Sequence, residues 1–308
     1  MFDGTPVEVP GNFNPVEEEN GDLVLYRDGV LSVRMPKDGY YFDRVEKSPG
    51  AAHLDPKDFH PTLFTKEELE HFRTESKFLS ENTDYALVAC VNPPQEFLTG
   101  MGSGDFAAWW MTLAAEPEYV HQLFEVNVRG WLERLEQFAD AVQDRVHILQ
   151  VTDDFGTQES LLVSVKMFRE LLMPYYKRGF DWVHKNTKMK VLLHTDGAVY
   201  PLIPSFIEMG VDCLNPVQIN AKGMDPVKLK QEFGDQLVFW GGCCDCQQTL
   251  PFAKAEDVAR EVEHNVGILG RGGGMVCAAI HNIQAGVPPE NIVTLFDTAR
   301  SIRYPLAA

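Results

Sequence analysis

Residues 190–197 read KVLLHTDG. Val191, Leu192 and Leu193 form an unbroken apolar run, too short for a buried helix and suited to a strand covered on both faces. The run ends abruptly in His194, Asp196 and Gly197, so ligand-type side chains and a turn former follow it at once. Outward in both directions the same unit recurs. Strand-length apolar runs are expected at 86–90, 147–152, 213–217, 237–241 and 275–280 as well as 190–194. Amphipathic stretches fall between them. The spacing of Val120, Leu123, Phe124, Val128, Trp131 and Leu135 predicts a helix over 117–142. Another is expected over 165–185, bent at Pro174. A third covers 255–268, and a last covers 289–302 with Pro289 in its first turn.

Apolar strands alternating with helices mean a parallel sheet covered by helices. The chain therefore reads as α/β, a (β/α)8 TIM-type barrel forming one domain over 1–308. No Gly-x-Gly-x-x-Gly follows an early strand, which disfavours an open dinucleotide-binding sheet. Six strands are evident, so two more are expected from the N-terminal part or from segments without a clear pattern. Residues 1–80 are rich in turns and read as irregular, with short strands around Asp28-Gly29 and Asp38-Gly39.

The 308 residues are 44% hydrophobic, enough for a substantial core, and set 45 Asp plus Glu against 27 Lys plus Arg for a net charge of −18. A field of that sign repels phosphate backbones and anionic lipid, so neither nucleic acid nor a membrane surface is expected as a partner. No apolar run approaches membrane-spanning length, and the start, MFDGTPVEVPGNF, lacks the basic-then-apolar pattern of a leader. Cys243, Cys244 and Cys246 crowd together, while Cys90, Cys213 and Cys277 stand in or beside apolar runs. This is no disulfide framework and points to a reduced, cytoplasmic setting.

In a parallel barrel the chemistry sits where strands end. Those ends carry Asp153, Asp154 and Glu159, then His194 and Asp196, then Asn215 and Gln218, then the three clustered cysteines, then His281 and Asn282. Each has an ordinary structural explanation: a core histidine with a hydrogen bond, a turn at Asp196-Gly197, cysteines packed as small hydrophobes. Their recurrence at successive strand ends favours a site. The metal-ligand candidates are His194, Asp196, Glu159, Cys244 and His281. Asp153, Asp154 and His281 are candidates for catalytic proton transfer, and Asn215 and Gln218 for holding substrate.

The ordered segments VTDDFGTQ, HTDG, LNPVQ, WGGCCDCQQTLPF and GGGMVCAAIHNIQAGVPPENI resemble the uroporphyrinogen decarboxylase superfamily over the C-terminal half to two-thirds of the chain. The resemblance implies the (β/α)8 barrel and one of two chemistries. True uroporphyrinogen decarboxylases hold tetrapyrrole carboxylates with an N-terminal arginine-rich motif. Here Arg27, Arg34, Arg44 and Arg73 are scattered, and the chain is expected to begin later than typical members. The corrinoid-linked methyltransferases of the superfamily hold zinc through a His-x-Cys and a later Cys. His194 matches that histidine, Asp196 replaces the first cysteine, and His281 falls at or near the second. A histidine at His281 is also characteristic of the decarboxylases. A set of two imidazoles and a carboxylate makes a harder Lewis acid than a thiolate set, suited to an ether oxygen whose methyl group is leaving. The resemblance thus implies zinc-assisted O-demethylation of a methoxylated aromatic compound, with the methyl group passing to cobalamin carried by a partner corrinoid protein. The alternatives are decarboxylation of a small aromatic acid and a non-catalytic barrel subunit of a corrinoid complex.

Overall fold

The computed structural model describes residues 13–27, 29–39, 42–45, 54–102 and 105–303. Near the N-terminus β1 (Val16–Glu17), β2 (Leu23–Arg27), β3 (Val30–Met35) and β4 (Asp43–Arg44) pair antiparallel in that order. Gly29 takes φ 79° in the turn from β2 to β3, a conformation glycine adopts without steric cost. Its neighbour Asp28 lies outside the described residues. These strands form a separate sheet and do not supply the two further barrel strands, which are expected either here or from segments without a clear pattern. Tight turns join neighbours antiparallel, whereas a parallel strand needs a long crossover. The irregular reading of 1–80 also missed α1 (Lys66–Asn82). Its start is a capping box: the Glu68 amide donates to Thr65 Oγ1 at 3.2 Å, and the Thr65 amide donates to Glu68 Oε2 at 2.8 Å.

The second sheet runs β5 (Val88–Cys90), β6 (Ile148–Thr152), β7 (Lys190–His194), β8 (Cys213–Asn215), β9 (Val238–Trp240) and β10 (Met275–Val276), each parallel to the next. Helices fill every crossover. α2 (Thr99–Gly102), α3 (Phe106–Ala115) and α4 (Pro117–Val142) link β5 to β6. α5 (Val165–Met167) and α6 (Met173–Asn186) precede β7, α7 (Ile203–Met209) precedes β8, and α8 (Pro226–Phe233) precedes β9. α9 (Thr249–Phe252) and α10 (Ala255–Leu269) lead to β10, and α11 (Pro289–Ser301) follows it. Sequential parallel strands with covering helices make an α/β fold of the TIM-barrel type. Six strands are described, with β5 and β10 at the two ends of the order.

Several strands stop sooner than their apolar runs suggest, for backbone reasons. β8 ends at Asn215 because Pro216 has no amide hydrogen for the ladder. β10 ends at Val276 because its neighbour β9 ends at Trp240 and Gly241 turns away at φ 115°. The helix expected over 165–185 is interrupted just before Pro174 by a π-helical turn, Phe168–Leu172, and α6 restarts with Pro174 in its first turn. The wider turn accommodates the proline ring and its missing donor.

Alternation sorts the two faces of the sheet. Leu149, Val151, Val191 and Leu193 face the helices and join the main core. Gln150 pairs across to Leu192, and Thr152 to His194 and on to Asn215, all on the interior face. An aromatic layer of Phe97, Phe124, Trp131, Tyr176 and Phe180, in T-shaped pairs with centroids 4.7 to 6.1 Å apart, locks α4 against α6. A smaller core of Leu250, Val258, Val262, Val266 and Leu295 packs α10 and α11. No helix among the described residues is long and apolar enough to cross a membrane.

Candidate functional site

His194, the last residue of β7, faces the barrel interior beside Asn215, the last residue of β8. The Asn215 side-chain amide donates to the Trp240 carbonyl at 3.0 Å, which turns its Oδ1 toward the ring. His194 Nδ1 stands 2.6 Å from that oxygen and donates to it. The imidazole is thereby held as the Nδ1–H tautomer, with the Nε2 lone pair left for a ligand or proton. Nε2 lies 3.9 Å from Asp196 Oδ2, and His281 Nε2 lies 3.4 Å from the same oxygen. One ligand atom from each of the three residues falls within 4.8 Å of the others, the only such His/Cys/Asp/Glu group among the described residues. Burial, and then the neighbouring Asp154, hold the Asp196 carboxyl above its ordinary range, while the two imidazoles pull it down. Asp154 also accepts the Asp196 amide at 3.0 Å.

Two cavities meet at this cluster. One, about 510 Å³, reaches the barrel interior past Gln150, Thr152, His194 and Asn215. The other, about 350 Å³, opens outward past Asp196, Gln218, Cys246 and Gln247. His281 lines both. No Lys or Arg lines either among the described residues. Under the outer cavity the loops after β6 and β7 touch backbone to backbone. A methyl group on Gly156 would come within 2.8 Å of the Ala198 nitrogen, and the Ala198 amide donates to the Thr157 carbonyl at 2.8 Å. Only glycine permits that approach.

The remaining site candidates scatter. Asp153 is fully buried and accepts four hydrogen bonds: from the Leu98 and Thr99 amides at 2.8 and 2.9 Å, and from the Thr99 and Tyr176 hydroxyls, both at 2.6 Å. Every oxygen is engaged, and it lines neither cavity. Glu159 is exposed and faces Lys222 at 3.7 Å, outside the cluster. Cys244 is fully buried in the smaller core, where burial holds its thiol up, so it stands apart from His194 and Asp196. Of the three clustered cysteines Cys246 is the one that lines a cavity. Gln218 accepts the Gly197 amide at 2.8 Å and lines the outer cavity, while Asn215 orients His194. Sequence reasoning missed the Trp240 carbonyl behind Asn215 and the side-chain amides of Asn220 and Gln247 around the outer cavity. Backbone carbonyls leave no sequence signal, and glutamines on exposed loops look like solvated surface.

The model of the family described as "Uroporphyrinogen decarboxylase (URO-D)" matches residues 77–302. The chain belongs to the uroporphyrinogen decarboxylase family. It is 22% identical over 228 residues to "Uroporphyrinogen decarboxylase 2, chloroplastic" of Oryza sativa subsp. japonica, a match covering 72% of this chain and 54% of that protein. The chain thus spans about half the length of the curated relative it matches. A solved methyltransferase from Methanosarcina mazei shares the fold with a TM-score of 0.58 at 16% identity, over 75% of this chain and 63% of that one. The segment matched to the uroporphyrinogen decarboxylase family contains all six parallel strands and the whole His194–Asp196–His281 cluster.

Asn215 gives a test of how the cluster is held in this family member. Asn215→Ala leaves His194 in place and frees its ring to turn. Chelator competition is expected to show divalent-metal affinity lower by roughly 10- to 100-fold, the usual cost of losing a partner behind a ligand. An unchanged affinity would remove Asn215 from the site.

Proposed function

We propose that this chain is a methyltransferase that demethylates a methoxylated aromatic compound, with the cobalamin of a partner corrinoid protein as methyl acceptor. The observation carrying this reading is the convergence of His194, Asp196 and His281 at the strand ends, between two cavities. The donor set suits zinc: three ligands of the right types, one ring fixed from behind by Asn215, and space left for a substrate atom. His194, Asp196 and His281 would hold the ion, which supplies Lewis-acid polarisation of the ether oxygen.

The chain's own groups account for the rest. The interior cavity receives the ring, with Gln150, Thr152 and Asn215 as polar contacts on its wall. The chain's residues would hold the ether so that its methyl–oxygen bond could break with the electron pair left on oxygen, and the partner's corrinoid would supply the acceptor for the methyl group. Asp154, which accepts the Asp196 amide at 3.0 Å, would be the carboxyl that returns a proton to the oxygen. The corrinoid partner must reach the strand-end face, where both cavities lie. The whole chain, 1–308, is taken as a single barrel domain with its N-terminal sheet attached. A reduced, cytoplasmic setting fits six free cysteines.

Incubating the zinc-loaded protein with cob(I)alamin and 2-methoxyphenol tests this directly. The expected result is methylcobalamin absorbance together with an equal amount of catechol. Decarboxylation of a small aromatic acid is the second reading, favoured by the raised Asp196 carboxyl beside His281, a pair able to deliver a proton to carbon. Carbon dioxide released from such an acid, without methylcobalamin, would select it. Corrinoid-protein binding with neither product would leave a non-catalytic subunit.

A further inference from the structure

The outer cavity is ringed by side-chain amides, and their hydrogen bonds leave a definite set of groups facing inward. Gln158 Nε2 and Asn220 Nδ2 both donate to Gln247 Oε1, at 3.0 and 2.9 Å. Gln247 Nε2 is thereby left as a donor, and Gln158 Oε1 and Asn220 Oδ1 as acceptors. Gln218 Oε1 is taken by the Gly197 amide at 2.8 Å, so its Nε2 is a further donor. Gln284 and Thr157 complete the ring. This ring brings together loops after four different strands and carries no charge of its own. The wall beside it carries Asp196 and His281 and no Lys or Arg.

We infer that this ring is a subsite for an uncharged, hydrogen-bonding substituent of the substrate, such as a carboxamide or a hydroxyl pair, and that it rejects a carboxylate. The inference rests on the demethylase reading for the identity of the molecule but not for the preference itself. A carboxamide presents one acceptor and two donors, which the Gln247 and Gln218 donors and the Gln158 and Asn220 acceptors can meet together. A carboxylate offers acceptors only, meets the Gln158 and Asn220 oxygens unfavourably, and gains no Lys or Arg in exchange for its water. The net charge of −18 adds to that cost. At about 350 Å³ the cavity has room for such a substituent while the ring lies in the interior cavity.

The test compares 3-methoxybenzamide with 3-methoxybenzoate by titration calorimetry, on protein stripped of metal with a chelator so that carboxylate coordination plays no part. The native chain is expected to bind the amide at least about tenfold more tightly. Gln247→Arg, a change at an exposed position, is expected to reverse the order. Equal affinity, tighter binding of the benzoate, an unchanged ratio in Gln247→Arg, or no binding of either at millimolar concentration overturns the inference. Methyl transfer from 2-methoxyphenol is followed separately on metal-loaded protein. Its absence with the amide preference intact rejects the demethylase and leaves the subsite standing.

Discussion

His194→Ala protein is expected to bind no zinc and to lose methyl transfer by about a thousandfold or more, while unfolding at nearly the native temperature. The size follows from the position of the side chain. His194 supplies one of three clustered ligand atoms, and its ring is the one with its tautomer fixed from behind. Two remaining ligands hold zinc weakly, and without the ion the departing oxygen must carry its full charge. The fold survives because His194 ends its strand, next to open cavity, and the main core closes around Val191 and Leu193 without it. His281→Ala is expected to behave alike. Metal analysis of anaerobically purified protein, with thermal unfolding on the same samples, checks both parts. Native zinc content in either variant removes that histidine from the ligand set.

Asp153→Ala is expected to do the opposite, costing about 3–5 kcal/mol of stability while leaving the metal ligands untouched. It strands two backbone amides and two hydroxyls that now converge on one buried carboxylate. These bonds tie the end of β6 to the start of α2 and, through Tyr176, to α6. Burial raises the Asp153 carboxyl to about 6 despite its four donors. The folded form therefore holds a proton that the unfolded chain gives up nearer 4. That contribution to stability is complete below the unfolded value and is lost as pH rises through about 6. The stability gap between native and Asp153→Ala is thus expected to be wider at pH 5.5 than at pH 7.5. Urea unfolding of both proteins at both pH values measures it, and taking the difference cancels the other carboxylates. A stable Asp153→Ala protein without activity would instead give Asp153 a catalytic role.

The contrast between these residues explains what could be read from the sequence. The rhythm of apolar runs located each of the six described parallel strands, and the spacing from Val120 to Leu135 marked out the helix Pro117–Val142. Strand ends were less legible, because where a ladder stops depends on its neighbour, as with β10 beside Trp240. The helix α1 announced itself only through Thr65 and Glu68, two polar residues inside a turn-rich region. Of the ligand-type residues at the strand ends, His194, Asp196 and His281 come together, and Cys244 and Glu159 stand apart from them. Whether a side chain after a strand turns inward or outward is set by backbone turns at Gly241 and Gly242, both with positive φ, and no composition reveals that.

The backbone contact between Gly156 and Gly197 has a bearing on motion. The loops after β6 and β7 are joined there, and the Lys222 amide, donating to the Gln158 carbonyl at 2.9 Å, adds the loop after β8. Three consecutive loops are thus tied into one wall, which includes Asp196 and adjoins His194 at the end of β7. His281 comes from the opposite side, on the segment after β10, where a Cys246 thiol contact to its carbonyl at 3.9 Å is a weak tether. Among the described residues, no backbone hydrogen bond joins 277–288 to those three loops, so any opening of the mouth is expected to fall on that segment. Substitutions in that segment are then expected to change how fast an ion or a substrate exchanges before they change the resting arrangement of the strands.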